Sequence, residues 1–322
     1  MPPSPAAPRN AVGDVEMPIL RLNAGPDGVS VHGSPAPLAR VLRSAARGTG
    51  PVMVLVHGYK YDPTCLPFDP HEKILGLATA AGWLRPLGFG LGDPDEGLAI
   101  AFGWRARGTI WRAQSSARAA GRHLARVIRD LRTLAPGRPI HAITHSMGSE
   151  VVFEAVHHLH AGDLGRIVTL AGASYASRAV AAMHAAAGRT AELFNVTSRE
   201  NDLFDVVFER LLAPDMAGDR AIGSGIDLPN VVNLQLDCPA TLAALPRFGG
   251  VIAPPGRTIC HWSSYTRAGA LPFYAHALRH PQAVPLDALR AALPARAAPR
   301  WSRMFAPRPR SAPLPMGQKT AS

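Results

Sequence analysis

Five short, mostly apolar runs constrain the fold of this chain more than any other feature. They read PVMVLVHGY (51–59), GLAIAFGW (97–104), RPIHAITHS (138–146), GRIVTLAG (165–172) and AELFNVTS (191–198). Runs of this length, rich in Val and Ile and bounded by turn residues, are strands, and strands apolar on both faces need cover on both faces. The segments between them supply that cover. Residues 113–134 place Leu124, Val127, Ile128, Leu131 and Leu134 on one helical face and Arg118, Arg122, Arg126 and Arg129 on another. A helix over about 147–160 and an alanine-rich helix after 172 continue the alternation. PILRLNA (18–24) and GVSVHG (28–33), split by Gly-Pro-Asp, read as an opening β-hairpin, and NVVNLQLD (230–237) as a last strand. The pattern predicts an α/β fold with a mostly parallel central sheet and helices on both faces.

Composition sets the outer limits. At 322 residues and 47% hydrophobic content the chain can bury a large core. The opening MPPSPAAPRN has no apolar run long enough for a secretory signal, and no stretch approaches the roughly 18 apolar residues of a membrane span. A soluble, cytoplasmic protein is the expectation. Cys65, Cys238 and Cys260 are odd in number and scattered, which fits a reducing compartment and argues against structural zinc. Of the net charge of +11, residues 281–322 carry +6. That Pro-, Ala- and Arg-rich segment is expected to be a largely disordered basic tail, with 1–14 a disordered Pro-rich start and 15–280 the folded domain. The arginines of 113–134 read as a solvated helix face. No helix-turn-helix, RNP or zinc-finger pattern accompanies the charge, so no specific nucleic-acid partner is expected.

In parallel sheets reactive groups collect beyond the carboxyl ends of the strands. Two stretches stand there. His57-Gly58-Tyr59 closes one strand, and its glycine allows a backbone N–H to face a developing oxyanion. The stretch AITHSMGSE (142–150) closes another, putting Ser146 on a strand-to-helix turn with Gly148 beneath it. A serine there is either a nucleophile or a helix N-cap. As a nucleophile it needs a base and an orienting acid, in chain order Ser, acid, His. The loop RENDLFD offers Glu200, Asp202 and Asp205, of which Asp202 is best placed: Glu200 is nearer the strand and Asp205 already belongs to the next helix. Three histidines follow. His276 and His280 lie in the helical LPFYAHALRH, whereas His261 sits on a loop, as a base should.

VLVHGY, FGWRARG, ITHSMGS, VTSREND and CHWSSY, in this order over residues 51–275, resemble the alpha/beta hydrolase superfamily, nearest to a poorly characterised bacterial lipase- and esterase-like branch. The resemblance implies a Ser146–His261–Asp202 triad, an oxyanion hole from the backbone N–H groups of Tyr59 and Met147, and no cofactor. Thr144 stands where the usual Gly-x-Ser-x-Gly elbow has its first glycine, which predicts an opened turn or a helix standing off.

Other chemistries find little support. Walker A spacing is absent, and GFGLGDPDEG puts Asp95 where a dinucleotide fingerprint needs glycine. HEKIL (71–75) lacks a second histidine at metalloprotease spacing, and VHHLH (156–160) reads as a helix C-terminus, so no metal site is expected. His57 and His145 read as packing or loop-lining residues. Tyr61, Phe68, Trp104 and Arg105 are candidate walls of a substrate pocket, and the segment 60–95 is either a lid over it or an ordinary packed insertion. The reading is a serine hydrolase that cleaves a carboxylic ester, thioester or lipid ester through an acyl-enzyme on Ser146. The alternative is a non-catalytic protein that keeps the fold for binding or as an interaction platform.

Overall fold

A computed structural model describes residues 18–77, 82–93, 95–295 and 298–300. The first 14 residues and the stretch 301–322, both expected to be disordered, lie outside the described residues. The strands are β1 (Ile19–Gly25), β2 (Gly28–Val31), β3 (Val52–Val56), β4 (Leu98–Gly103), β5 (Ile140–His145), β6 (Arg166–Leu170), β7 (Glu192–Thr197) and β8 (Val231–Gln235). They form one sheet in the order β2-β1-β4-β3-β5-β6-β7-β8, parallel throughout except for the edge hairpin β1–β2. This is the α/β architecture that the apolar runs predict.

Helices cover both faces: α1 (Leu38–Ala45), α2 (Pro70–Lys73), α3 (Ile110–Leu134), α4 (Gly148–His157), α5 (Ala176–His184), α6 (Asp202–Leu211), α7 (Pro239–Ala244), α8 (Ser263–Thr266), α9 (Ala270–Arg279) and α10 (Leu286–Ala292). The strand period sorts the core into two layers. Val52, Val54 and Val56 of β3 face α3 and α4, while Met53 and Leu55 face Trp83, Phe89 and α9. Thr109 caps α3 by accepting from the Arg112 N–H, and the buried face of that helix carries Leu124, Val127, Ile128 and Leu131. Arg122, Arg126 and Arg129 are exposed on it, as read from their spacing. Trp83 and Phe89 are fully buried, so this part of the 60–95 segment is a packed insertion.

The chain after residue 280 differs from its sequence reading. The helix α10 lies there, and Val284, Leu286 and Leu289 are buried against the second layer of the core. Arg166, itself buried, donates to the carbonyls of Ala277 and Val284 at 2.6 and 2.8 Å and ties the segment to β6. Further on, the Ala298 N–H donates to Gln235 Oε1 at 2.7 Å. Arg300 is 7% exposed, with its guanidinium against the carboxylates of Asp202, Asp205 and Glu209 on α6. The expected disorder is therefore corrected for residues 281–295 and 298–300. The Pro, Ala and Arg composition hides a short apolar stripe whose partners come from distant parts of the chain.

Leu289→Ala is expected to cost about 2–5 kcal/mol, the range for truncating a buried leucine. Arg300→Ala, which strands buried carboxylates, is expected to cost about 3–5 kcal/mol. Urea unfolding of both variants checks this, and unchanged midpoints would show that the segment contributes nothing to the fold.

Candidate functional site

The site begins with sheet order. From β3 the chain moves to one side to make β4, then crosses back to make β5 on the other side of β3. A crevice opens where such crossovers diverge, beyond the carboxyl ends of β3 and β5. The turn His57–Tyr59 follows β3 directly, and Ser146 follows β5.

Ser146 has a φ of 53°, in the left-handed region that a side chain enters only at a cost. The surrounding packing holds it there. Its N–H donates to the Leu170 carbonyl at 3.0 Å, and its own carbonyl accepts from the Ala173 N–H at 2.9 Å. Two glycines let neighbouring backbones close in. A Cβ on Gly58 would lie 2.8 Å from the Ser146 Cβ, and one on Gly148 would lie 2.4 Å from Thr144 Oγ1 and 2.6 Å from the His57 carbonyl. Thr144 fits, fully buried, because the residue facing it has no side chain. The helix α4 does not stand off, contrary to what Thr144 predicts.

His57 lies wholly inside the protein, beneath the first turn. Its Nδ1 bonds the Gly58 carbonyl at 2.8 Å, and its Nε2 accepts from the Trp104 N–H at 3.0 Å. The Trp104 indole N–H returns a bond to the His57 carbonyl at 2.9 Å. Desolvation lowers the His57 pKa to about 4, so the ring is a neutral brace. The backbone N–H groups of Tyr59 and Met147 have no acceptor among the described residues. Met147 precedes the first turn of α4, where the helix favours negative charge.

His261 comes to this crevice on the loop before α8. His145, next to Ser146, bonds the His261 carbonyl through Nε2 at 3.1 Å, with ring centroids 4.5 Å apart. The Cys260 N–H donates to the Glu200 carbonyl at 2.9 Å, which fastens the loop to the turn after β7. Phe204 of α6 stacks on the His261 ring at 4.6 Å. Burial first, then His145 and Lys60, hold the imidazole well below its ordinary value of 6.5, so it is neutral and able to accept a proton.

The partner of that imidazole is the main correction to the sequence reading. His261 Nδ1 lies 2.6 Å from Asn201 Oδ1. Asp202, the expected acid, opens α6 with its carboxylate 3.3 Å from the Arg300 guanidinium. The other two candidates are also held by arginine, Glu200 by Arg267 and Asp205 by Arg300. Arg199–Asn201 form a helical turn that runs into α6, and from this turn the Asn201 side chain meets His261 Nδ1. Sequence reasoning passed over Asn201 because it sought a charge. His145 and Phe204 were missed as positioning residues, and nothing in their local sequence marks them.

The expected pocket residues divide. Tyr61 lines a cleft of about 590 Å³ with Ile74, Arg257, Tyr265 and the chain neighbours of His261, Cys260 and Trp262, while His261 and Ser146 are not among its lining residues. Phe68 lies outside that cleft under the Arg107 guanidinium, 3.4 Å from its ring centroid. Trp104 is fully buried in the core. Arg105 is mostly exposed and lies 3.5 Å from Asp62.

Carbon-13 or nitrogen-15 NMR of His261 is expected to give a protonation midpoint well below pH 6.5. Asn201→Asp should raise it, because a carboxylate against Nδ1–H favours the imidazolium. A parent midpoint at or above 6.5 would contradict the buried, neutral ring.

Residues 36–172 match the model of a family described as "Alpha/beta hydrolase of unknown function (DUF900)". The match spans α1 to the end of β6, and so includes the His57–Tyr59 turn and the Ser146 elbow. No curated protein matches the chain. No helix among the described residues is long and apolar enough to cross a membrane. The family supports a hydrolase-type function. Over residues 36–172 the chain is therefore similar to an alpha/beta hydrolase family, and its eight-stranded, mostly parallel sheet covered by helices on both faces is the architecture that the similarity implies.

Proposed function

We propose that the protein is a serine hydrolase that cleaves a carboxylic ester, with thioesters and lipid esters as variants, and that it works with a Ser146–His261–Asn201 set. The observation that carries this reading is the left-handed Ser146 on its elbow, beside a neutral imidazole fastened to the adjacent residue. Ser146 Oγ attacks the acyl carbon while His261 Nε2 takes its proton. The tetrahedral oxyanion is met by the N–H groups of Tyr59 and Met147. His261 then protonates the leaving alcohol or thiol, and water repeats the sequence to release the acid.

Asn201 serves the tautomer. Its Oδ1 accepts from Nδ1–H, which leaves the lone pair on Nε2 to take the serine proton. An amide carries no charge to stabilise the imidazolium that forms during attack, so the base is weaker than one backed by a carboxylate. The cleft walled by Tyr61, Ile74, Trp262 and Tyr265 suits an apolar acyl or leaving group. Cytoplasmic placement is part of the same reading, as is a small-molecule or lipid-like substrate. That neutral amide also favours a second reading, in which the fold is kept for binding without turnover.

A fluorophosphonate probe separates the two. Labelling is expected at Ser146 and lost in Ser146→Ala. A folded protein that takes no label, or takes it elsewhere, would sink the hydrolase reading. On a short activated ester His261→Ala should lower kcat by about 10³-fold or more. Asn201→Leu should lower kcat far more than Asp202→Asn, whose main effect is expected on stability through Arg300. The opposite order would restore Asp202 as the orienting residue.

A further inference from the structure

His71, set aside in the sequence for want of a second histidine, finds one from the other end of the fold. The hairpin β1–β2 ends beside His32, and the segment after β3 brings Asp69 and His71 against it. A ligand atom from each of the three lies within 4.8 Å of the others. The His32 and His71 ring centroids are 4.2 Å apart, and His32 Nε2 is 3.6 Å from Asp69 Oδ2.

One side chain holds both rings from behind. Asn23 on β1 meets His71 Nε2 through Oδ1 at 2.7 Å and His32 Nδ1 through Nδ2 at 3.2 Å. Asn23 Oδ1 must accept from His71 Nε2–H, so the lone pair of His71 is on Nδ1. That atom is buried, on a residue with no exposed surface, and no hydrogen bond of good geometry reaches it, although the Leu22 carbonyl also lies against the ring. A cluster that existed only for its hydrogen bonds would not leave it so. Asp69 is anchored too: its Oδ1 accepts from the His71 N–H at 2.9 Å, which leaves Oδ2 towards His32. Gly103, paired with Asn23 across β1 and β4, keeps the room, since a Cβ there would lie 2.9 Å from His71 Nε2.

We propose that His71 Nδ1, His32 Nε2 and Asp69 Oδ2 bind one first-row divalent transition-metal ion, with Asn23 orienting the His71 imidazole from outside. Two nitrogens and one carboxylate oxygen are a donor set for Zn²⁺ and its neighbours, and bonds of about 2.0–2.2 Å are reached by drawing the three atoms together. Coordination through His32 Nε2 moves the His32 proton to Nδ1, so the 3.2 Å contact with Asn23 Nδ2 gives way while Asn23 Oδ1 keeps its bond from His71 Nε2–H. The ion would clamp the edge hairpin to the segment that leaves the His57–Tyr59 turn. It takes no part in the acyl chemistry, so this inference stands or falls apart from the proposed hydrolase activity.

The test uses the full chain, stripped with EDTA and titrated with Zn²⁺ by calorimetry. One ion per chain and a raised thermal midpoint are expected, with Ser146→Ala behaving like the parent. Asp69→Asn and His32→Gln should remove the stoichiometric event, and Asn23→Ser should weaken it about 10- to 100-fold. The zinc-edge absorption spectrum of the loaded parent should contain two imidazole ligands, which keeps the test decisive if a variant fails to fold. No stoichiometric uptake, uptake unchanged in the variants, or a spectrum without imidazole would overturn the proposal.

Discussion

The left-handed backbone of Ser146 is the constraint on which the rest of the site depends. It turns the chain from β5 into α4 within one residue, and the turn closes only because Gly58 and Gly148 have no side chains. Each glycine is placed by something larger. Gly58 follows β3 in the centre of the sheet and is braced from below by the neutral pair His57 and Trp104. Gly148 faces Thr144 on one side and the backbone of residues 56 and 57 on the other. The strain at one residue is thus carried by three strands and a helix, as expected where geometry is over-determined by its surroundings.

A second theme is the pairing of charge around the site. Glu200, Asp202 and Asp205 all lie within a few residues of Asn201, the partner of the imidazole, and each is matched to an arginine from elsewhere in the chain. Buried carboxylates left alone would be costly, and here the guanidinium groups also tie down the segments that hold His261. Arg267 links the turn after β7 to the carbonyl of Leu236, at 2.7 Å, just past β8. What remains beside His261 is an amide, two aromatic rings, a second histidine and the charge of Lys60. Burial outweighs both His145 and Lys60 in holding the base neutral.

Much of this was legible in the sequence. Five apolar runs and their spacers carry the parallel sheet, because period and length alone separate buried strands from helices. The elbow was legible too, since a serine two residues before a glycine at a strand end has few structural uses. What escaped were features made by pairs distant in sequence. Asn201 and Asp202 are neighbours on a helical turn, and which of them meets His261 depends on Arg300, about a hundred residues further on. His71 looked solitary because its companion lies on a hairpin 39 residues earlier. Thr144 looked too large because the compensating absence is a glycine on the next element. The segment after 280 looked disordered because its composition outweighs the stripe of Val284, Leu286 and Leu289.

The contact between Arg300 and α6 bears on the order in which the molecule is made. Synthesis runs from the N-terminus, and the sheet with its elbow is complete once β8 has emerged. Asp202 and Asp205 can meet the Arg300 guanidinium only once residue 300 has been made, whereas the contacts that hold the Ser146 elbow come from residues at or before Ala173. A chain stopped short of residue 300 would keep the partners of its serine elbow while losing an arginine beside the helix that follows Asn201.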